Sequence, residues 1–216
     1  MLWTSETGGF KTQHRWSEEE IVRTVTALSI VLCLGAPAML PAQAARQPAG
    51  APEVFTATAR AKTTSADVSG ALVIRISRYT PDFDRTTVET ALREGGYPRF
   101  VTALRNAPEV GQLVLAGGQT YTIRYARERV SGSGRTIVVV TDRPMLFLGS
   151  ARADAKPRAG FEVAVVELQL DATGAGKGTM AAAARVRPDG TGGVILDDYA
   201  EEPIAVTNVT RTPQAP

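Results

Sequence analysis

Short runs in which apolar and polar residues alternate, each closed by a turn signal, fill most of the sequence after residue 53. That rhythm restricts the chain to a mainly antiparallel β architecture. Leu72, Ile74 and Ile76 alternate with Val73, Arg75 and Ser77, the period of a strand with one buried face. Val54 to Ala61 reads as an earlier strand from its Val, Phe and alternating Thr. Leu113 to Leu115 meets the turn Ala116-Gly117-Gly118, after which Tyr121, Ile123 and Tyr125 alternate with Thr122, Arg124 and Ala126. Ser131 to Gly134 is a turn of the kind that joins antiparallel strands, and it leads into Ile137 to Val140.

Two later runs are less regular. In Phe161 to Leu170, the residues Phe161, Val163 and Val165 share one face and Val166, Leu168 and Leu170 the other. A bulge near Val165-Val166, or burial on both faces, accounts for that change of phase. Met180 to Val186 holds four consecutive alanines that suit a helix on propensity. Its glycine-rich flanks and the alternation of Met180, Ala182, Ala184 and Val186 favour a strand. Val194 to Leu196 and Ile204 to Val209 supply the last two strands.

One helical passage interrupts the series. Thr80-Pro81-Asp82 marks its start: Thr80 can cap, Pro81 suits the first position, and Asp82 and Asp84 favour the positive end of the dipole. Phe83, Thr87, Val88, Ala91 and Leu92 form its apolar side, and Gly95-Gly96 stops it. A second short helix opens at Tyr97-Pro98 and presents Tyr97, Phe100, Val101 and Leu104 on one side. The expected fold is therefore mainly β within the α+β class. It is an antiparallel β-barrel or sandwich of about nine strands, with one helical hairpin inserted after the second.

The N-terminal segment reads as an export signal. An apolar run from Thr24 to Ala36 follows Arg23, and Ala42-Gln43-Ala44 is a small-x-small cleavage signature, so the mature chain is expected to begin at Ala45. The run falls short of the roughly 20 apolar residues that span a bilayer. An uncleaved anchor is the alternative; a lipoprotein signal fits less well, because Leu32 precedes Cys33. Glu18-Glu19-Glu20 puts acid where such a signal is basic, so translation is expected to start at Val22, with residues 1–21 carrying no structure. Residues 45–53 then form a flexible lead-in and residues 54–212 a single β-rich domain.

Composition narrows the chemistry. Cys33, His14, Trp3 and Trp16 all precede Ala45, so the mature part lacks all three residue types. That excludes a disulfide, a Cys/His zinc site and any His-dependent nucleophile system, and no cofactor or metal is expected. Three of the 24 Lys+Arg and four of the 22 Asp+Glu lie in the first 44 residues, which leaves a net charge of +3. No basic stripe points to nucleic acid, and the mature domain is not expected to span a membrane.

Several local features carry candidate chemistry. Gly174-Ala175-Gly176-Lys177-Gly178-Thr179 imitates a phosphate loop, but Asp171 and Gly178 occupy the positions that need Gly and a hydroxyl, so it reads as a hairpin turn. Asp197-Asp198-Tyr199-Ala200-Glu201-Glu202 is acidic enough for calcium but lacks the ordered spacing of a calcium loop. Asp82, Asp84, Asp197 and Glu201 are the carboxylates that a His-free hydrolase would pair. Pro144 to Gly149 is the most apolar short run after the signal, read as a buried strand with an exposed partner surface as the alternative. Arg124, Arg127, Arg129 and Arg135 flank one hairpin and read as a solvated face, with an anionic ligand as the alternative. Asn208-Val209-Thr210 matches a glycosylation acceptor, which a strand position disfavours.

The functional expectation is an exported, non-catalytic binding protein that holds a small apolar or amphipathic molecule inside a barrel. Tyr121, Ile123, Tyr125 and Phe161 are its expected ligand-lining residues. A cell-envelope protein that interacts through a sheet face is the alternative, and a carboxylate hydrolase the third. An internal pocket marks the first of these, and a packed interior favours the second.

Overall fold

The computed structural model describes residues 52–62, 67–145, 159–191, 193–199 and 203–212. The segment read as an export signal, the expected start at Val22 and residues 146–149 of the Pro144–Gly149 run lie outside these residues, as do Glu201 and Glu202. Nine strands and one helix follow in the order β1 (Glu53–Lys62), β2 (Asp67–Ile76), α1 (Asp82–Asn106), β3 (Gly111–Leu115), β4 (Thr120–Ser131), β5 (Gly134–Thr141), β6 (Val163–Leu170), β7 (Gly176–Pro188), β8 (Val194–Asp198) and β9 (Ile204–Thr212). All pairings are antiparallel. β1 to β7 pair in sequence, and β9 joins β7 to β1, so eight strands close into a barrel. β8 stands outside the ring and pairs only with the second half of β7, from Ala184 to Pro188.

Closure buries one face of every barrel strand. Phe55, Leu72, Ile74, Leu113, Ile123, Ile137, Leu168 and Met180 are all 1 % exposed or less and belong to one cluster that fills the interior. The β6–β7 seam closes at glycines because nothing larger fits there. A Cβ at Gly176 would stand 1.9 Å from the Gln169 carbonyl oxygen, and one at Gly178 would stand 2.0 Å from that of Glu167. One mouth of the barrel is closed by charge. The nearly buried Glu53 carboxylate receives Arg135 Nη2 at 2.9 Å, Arg211 Nε at 2.8 Å and the Tyr79 hydroxyl, and Arg135 also reaches Glu128 at 2.8 Å.

The phase change in β6 is burial on both faces. Ala164, Val166, Leu168 and Leu170 point into the barrel, whereas Val163 and Val165 point outward into a second cluster beneath α1. The register of β6 against β5 runs unbroken from Leu170 to Val165. In β7 a shift between the partners of Val163 and Val165 turns the strand over. Met180 therefore faces the interior, and Ala184 and Val186 lie outside with Ala181. The expected single face from Met180 to Val186 is divided at that point.

The helical passage is one element and not a hairpin. Gly96, at φ 66 and ψ −167, breaks the helical backbone inside α1, and Tyr97 and Pro98 restart it at once. Reversing a helix takes a loop of about 2–5 residues, and a single glycine does not supply one. Val88, Leu92, Tyr97, Phe100, Val101 and Leu104 are buried. Phe83 is 82 % exposed, because it lies about 140° around the helix from Val88. Thr80 does not cap the helix. Its backbone N–H donates to the Ala126 carbonyl, and its hydroxyl accepts from Ala126 N–H at 2.8 Å, which ties the helix start to β4. The Tyr97 hydroxyl donates to the Ala184 carbonyl at 3.0 Å and accepts from Glu162 N–H at 2.7 Å, pinning α1 to the outside of the barrel. The alanines of β7 allow that close approach. No helix among the described residues is long and apolar enough to cross a membrane.

Candidate functional site

A cavity of about 320 Å³ lies between α1 and the outer face of the barrel. Val138 and Val140 of β5, Val165 of β6 and Ala181 of β7 form its floor, with Val88, Leu92 and Phe100 of α1 above them. β7 and β8 extend past the ring as a two-stranded arm, and Val186, Val194 and Leu196 make the side wall. On the far face of the arm, Arg187 holds Asp197 through two bonds of 2.6 and 2.8 Å. Asp197 is thus committed to a guanidinium, whereas Asp198 lines the groove.

The polar margin is built around Glu89 on α1. Its Oε1 accepts from the Tyr125 hydroxyl at 2.9 Å and meets Arg127 at 3.5 Å, and its Oε2 lies 3.9 Å from Arg93 one turn along. Burial, and then the Glu89 charge, raises the Tyr125 phenol well above its ordinary range, so it remains a proton donor at any physiological pH. Arg85, Arg129, Thr136, Glu167 and Thr179 complete the margin. Mixed polar groups around an apolar floor at this volume match the lower end of small-molecule sites, which run from about 300 to 1,000 Å³.

The four residues expected to line a ligand site are dispersed. Tyr121 and Ile123 are buried in the barrel interior, and Arg143 lies over the Tyr121 ring at 5.0 Å. A register shift in the β4–β5 pair between Ile123 and Tyr125 turns β4 over, so Tyr125 emerges on the outer face and lines the groove. Phe161 packs edge-on against Tyr199, with ring centres 5.5 Å apart. Of these four only Tyr125 belongs to the cavity, where it meets Arg127 and Arg129, the two hairpin arginines for which an anionic ligand is the alternative reading. One signal was available. Arg127 and Arg129 share the parity of Tyr125, and a packed interior does not take three such residues in succession.

The four hairpin arginines also separate. Arg127 and Arg129 face the groove, and Arg135 enters the barrel mouth. Arg124 donates to the Ala107 carbonyl at 2.9 Å, between the end of α1 and β4. At the β6–β7 turn, Asp171 Oδ1 accepts from the Thr173 hydroxyl, Thr173 N–H and Ala175 N–H. The Thr173 hydroxyl leads these bonds in holding the carboxyl below its usual range. That segment is a hairpin turn. Among the described residues no three His, Cys, Asp or Glu side chains gather as a metal site would need.

Barrel, helix and arm define a closed antiparallel β-barrel with a groove of ligand size on its outer surface. No protein-family model, no curated protein and no solved structure matches the chain.

Proposed function

We propose that the chain is an exported binding protein that acts without catalysis and holds a small amphipathic molecule in the groove between α1, β4–β7 and the β8 arm. The observation that carries this reading is the apolar floor of Val138, Val140, Val165 and Ala181 beneath a margin of guanidiniums, carboxylates and hydroxyls. The interior version of the same idea, built on Tyr121, Ile123 and Phe161, yields to the outer groove, because the described interior is filled by its own side chains. That packing also favours interaction through a sheet face, and the groove on the outer face is what supports a small molecule there. Export is supported by the apolar run from Thr24 to Ala36 and the Ala42-Gln43-Ala44 site.

Titration with a neutral apolar fluorophore tests the binding reading. One saturable site per chain is the expected result, and Leu196→Trp, placed on the side wall, is expected to abolish it without lowering the melting temperature. Undiminished uptake by the folded Leu196→Trp variant would refute the groove as the site. Export is tested separately by the mass of the secreted protein, which is expected to start at Ala45.

A further inference from the structure

Strand register sorts the outer face of the barrel into rows, and those rows specify the molecule that fits. Tyr125, Val140, Val165 and Ala181 stand side by side across four strands. The next row is Arg127, Val138, Glu167 and Thr179, and the one after it is Arg129, Thr136, Gln169 and Lys177. Three rows span about 14 Å along the strands. Over that length the surface changes from apolar, where Phe100 and Leu92 cover it, to fully polar.

The sign of the polar end follows from how the guanidiniums are paired. Arg127 and Arg93 share the single Glu89 carboxylate through contacts of 3.5 and 3.9 Å, both too long for strong charge-assisted bonds. That carboxylate already takes the Tyr125 hydroxyl at 2.9 Å. A guanidinium carries five donors; Arg127 uses one on Glu89 at 3.5 Å and lies against the Tyr125 hydroxyl, which leaves donors to meet an oxyanion. A cationic head in the same position would face the Arg127 charge, whereas the Glu167 carboxylate of that row stands two strands away and accepts from Gln169 at 3.1 Å.

We infer that the occupant is a free single-chain amphiphile with an anionic head, its head on Arg127 and its tail along Val140, Val165 and Ala181. This rests on the groove reading above.

The test displaces the neutral fluorophore with dodecanoate, dodecanol and dodecyltrimethylammonium below their aggregation limits. Dodecanoate is expected to bind about tenfold or more tighter than the other two, the worth of one charge-assisted hydrogen bond. Arg127→Gln is expected to remove that advantage, so that dodecanoate and dodecanol then bind with similar affinity. A second measurement needs no variant: raising the salt from about 0.05 to about 0.5 M weakens dodecanoate but not dodecanol. If the three compounds bind alike, or dodecanoate and dodecanol respond alike to salt, the anionic head is overturned while the groove stands. If none of them, fluorophore included, binds at all, both readings fall. Co-sedimentation with anionic phospholipid vesicles without dodecanoate binding overturns the free amphiphile in favour of a membrane surface.

Discussion

Tyr97→Phe removes one oxygen atom, and the consequences for this fold are large. The hydroxyl accepts a hydrogen bond from Glu162 N–H at 2.7 Å and donates one to the Ala184 carbonyl at 3.0 Å. Phenylalanine keeps the ring against Phe100, whose centre lies 6.1 Å away, so packing is preserved and the loss isolates the two bonds. Orphaning a buried backbone group costs about 1–3 kcal/mol. The Ala184 carbonyl lies under α1 and carries the upper part of that range, whereas Glu162 N–H is only half-buried and regains water. Together they predict a loss of about 2–4 kcal/mol, a large share of a domain's usual margin of 5–15 kcal/mol. Urea unfolding followed by far-UV circular dichroism reads this loss as a shifted midpoint at unchanged slope. Phe100→Ala in the same cluster serves as a scale, at about 3–5 kcal/mol. Because α1 roofs the groove, Tyr97→Phe should also weaken fluorophore uptake. A stability change under about 0.5 kcal/mol would refute the claim that this hydroxyl pins the helix to the barrel.

Alkaline titration monitored by phenolate absorbance should show Tyr79, Tyr97 and Tyr125 ionising late in the folded protein, each raised first of all by burial. Their unfolded counterparts lose protons near pH 10, so the unfolded state gains ground there and stability should fall as pH rises past about 10. Ionisation of these three phenols in the native protein near that pH would contradict this. At the barrel mouth, Glu53→Gln leaves Arg135 and Arg211 without their shared carboxylate. The loss should be about 3 kcal/mol, at the low end for a broken buried pair because Arg211 keeps contact with water. Calorimetric melting of the variant checks it, and an unchanged midpoint would show that the cluster is dispensable.

Alternation over four to eight residues was enough to place the strands, because burial of one sheet face imposes period 2 wherever a core exists. It failed where a second layer covers the outside. Val163 and Val165 are apolar because α1 lies on them, and the sequence of β6 does not name its cover. Bulges are equally silent: one extra residue turned Tyr125 from the interior to the groove, and another divided Met180 from Ala184. The groove itself joins Val88, Val140, Val165 and Leu196, residues brought together only by closure of the ring. The helix break was visible as Gly95-Gly96, but whether the chain reverses there depends on how many residues stay unwound. Only Gly96 does.

β6 offers the most direct test of where a ligand binds, since neighbouring residues point to opposite sides of one wall. Val165 faces the groove and Val166 the barrel interior. A methyl-resolved NMR titration of the protein with dodecanoate should perturb Val138, Val140, Val165 and Leu196. Ile74, Ile123, Val166 and Leu168 should stay in place. Saturable shifts confined to the interior methyls would put the ligand inside the barrel and contradict the outer groove.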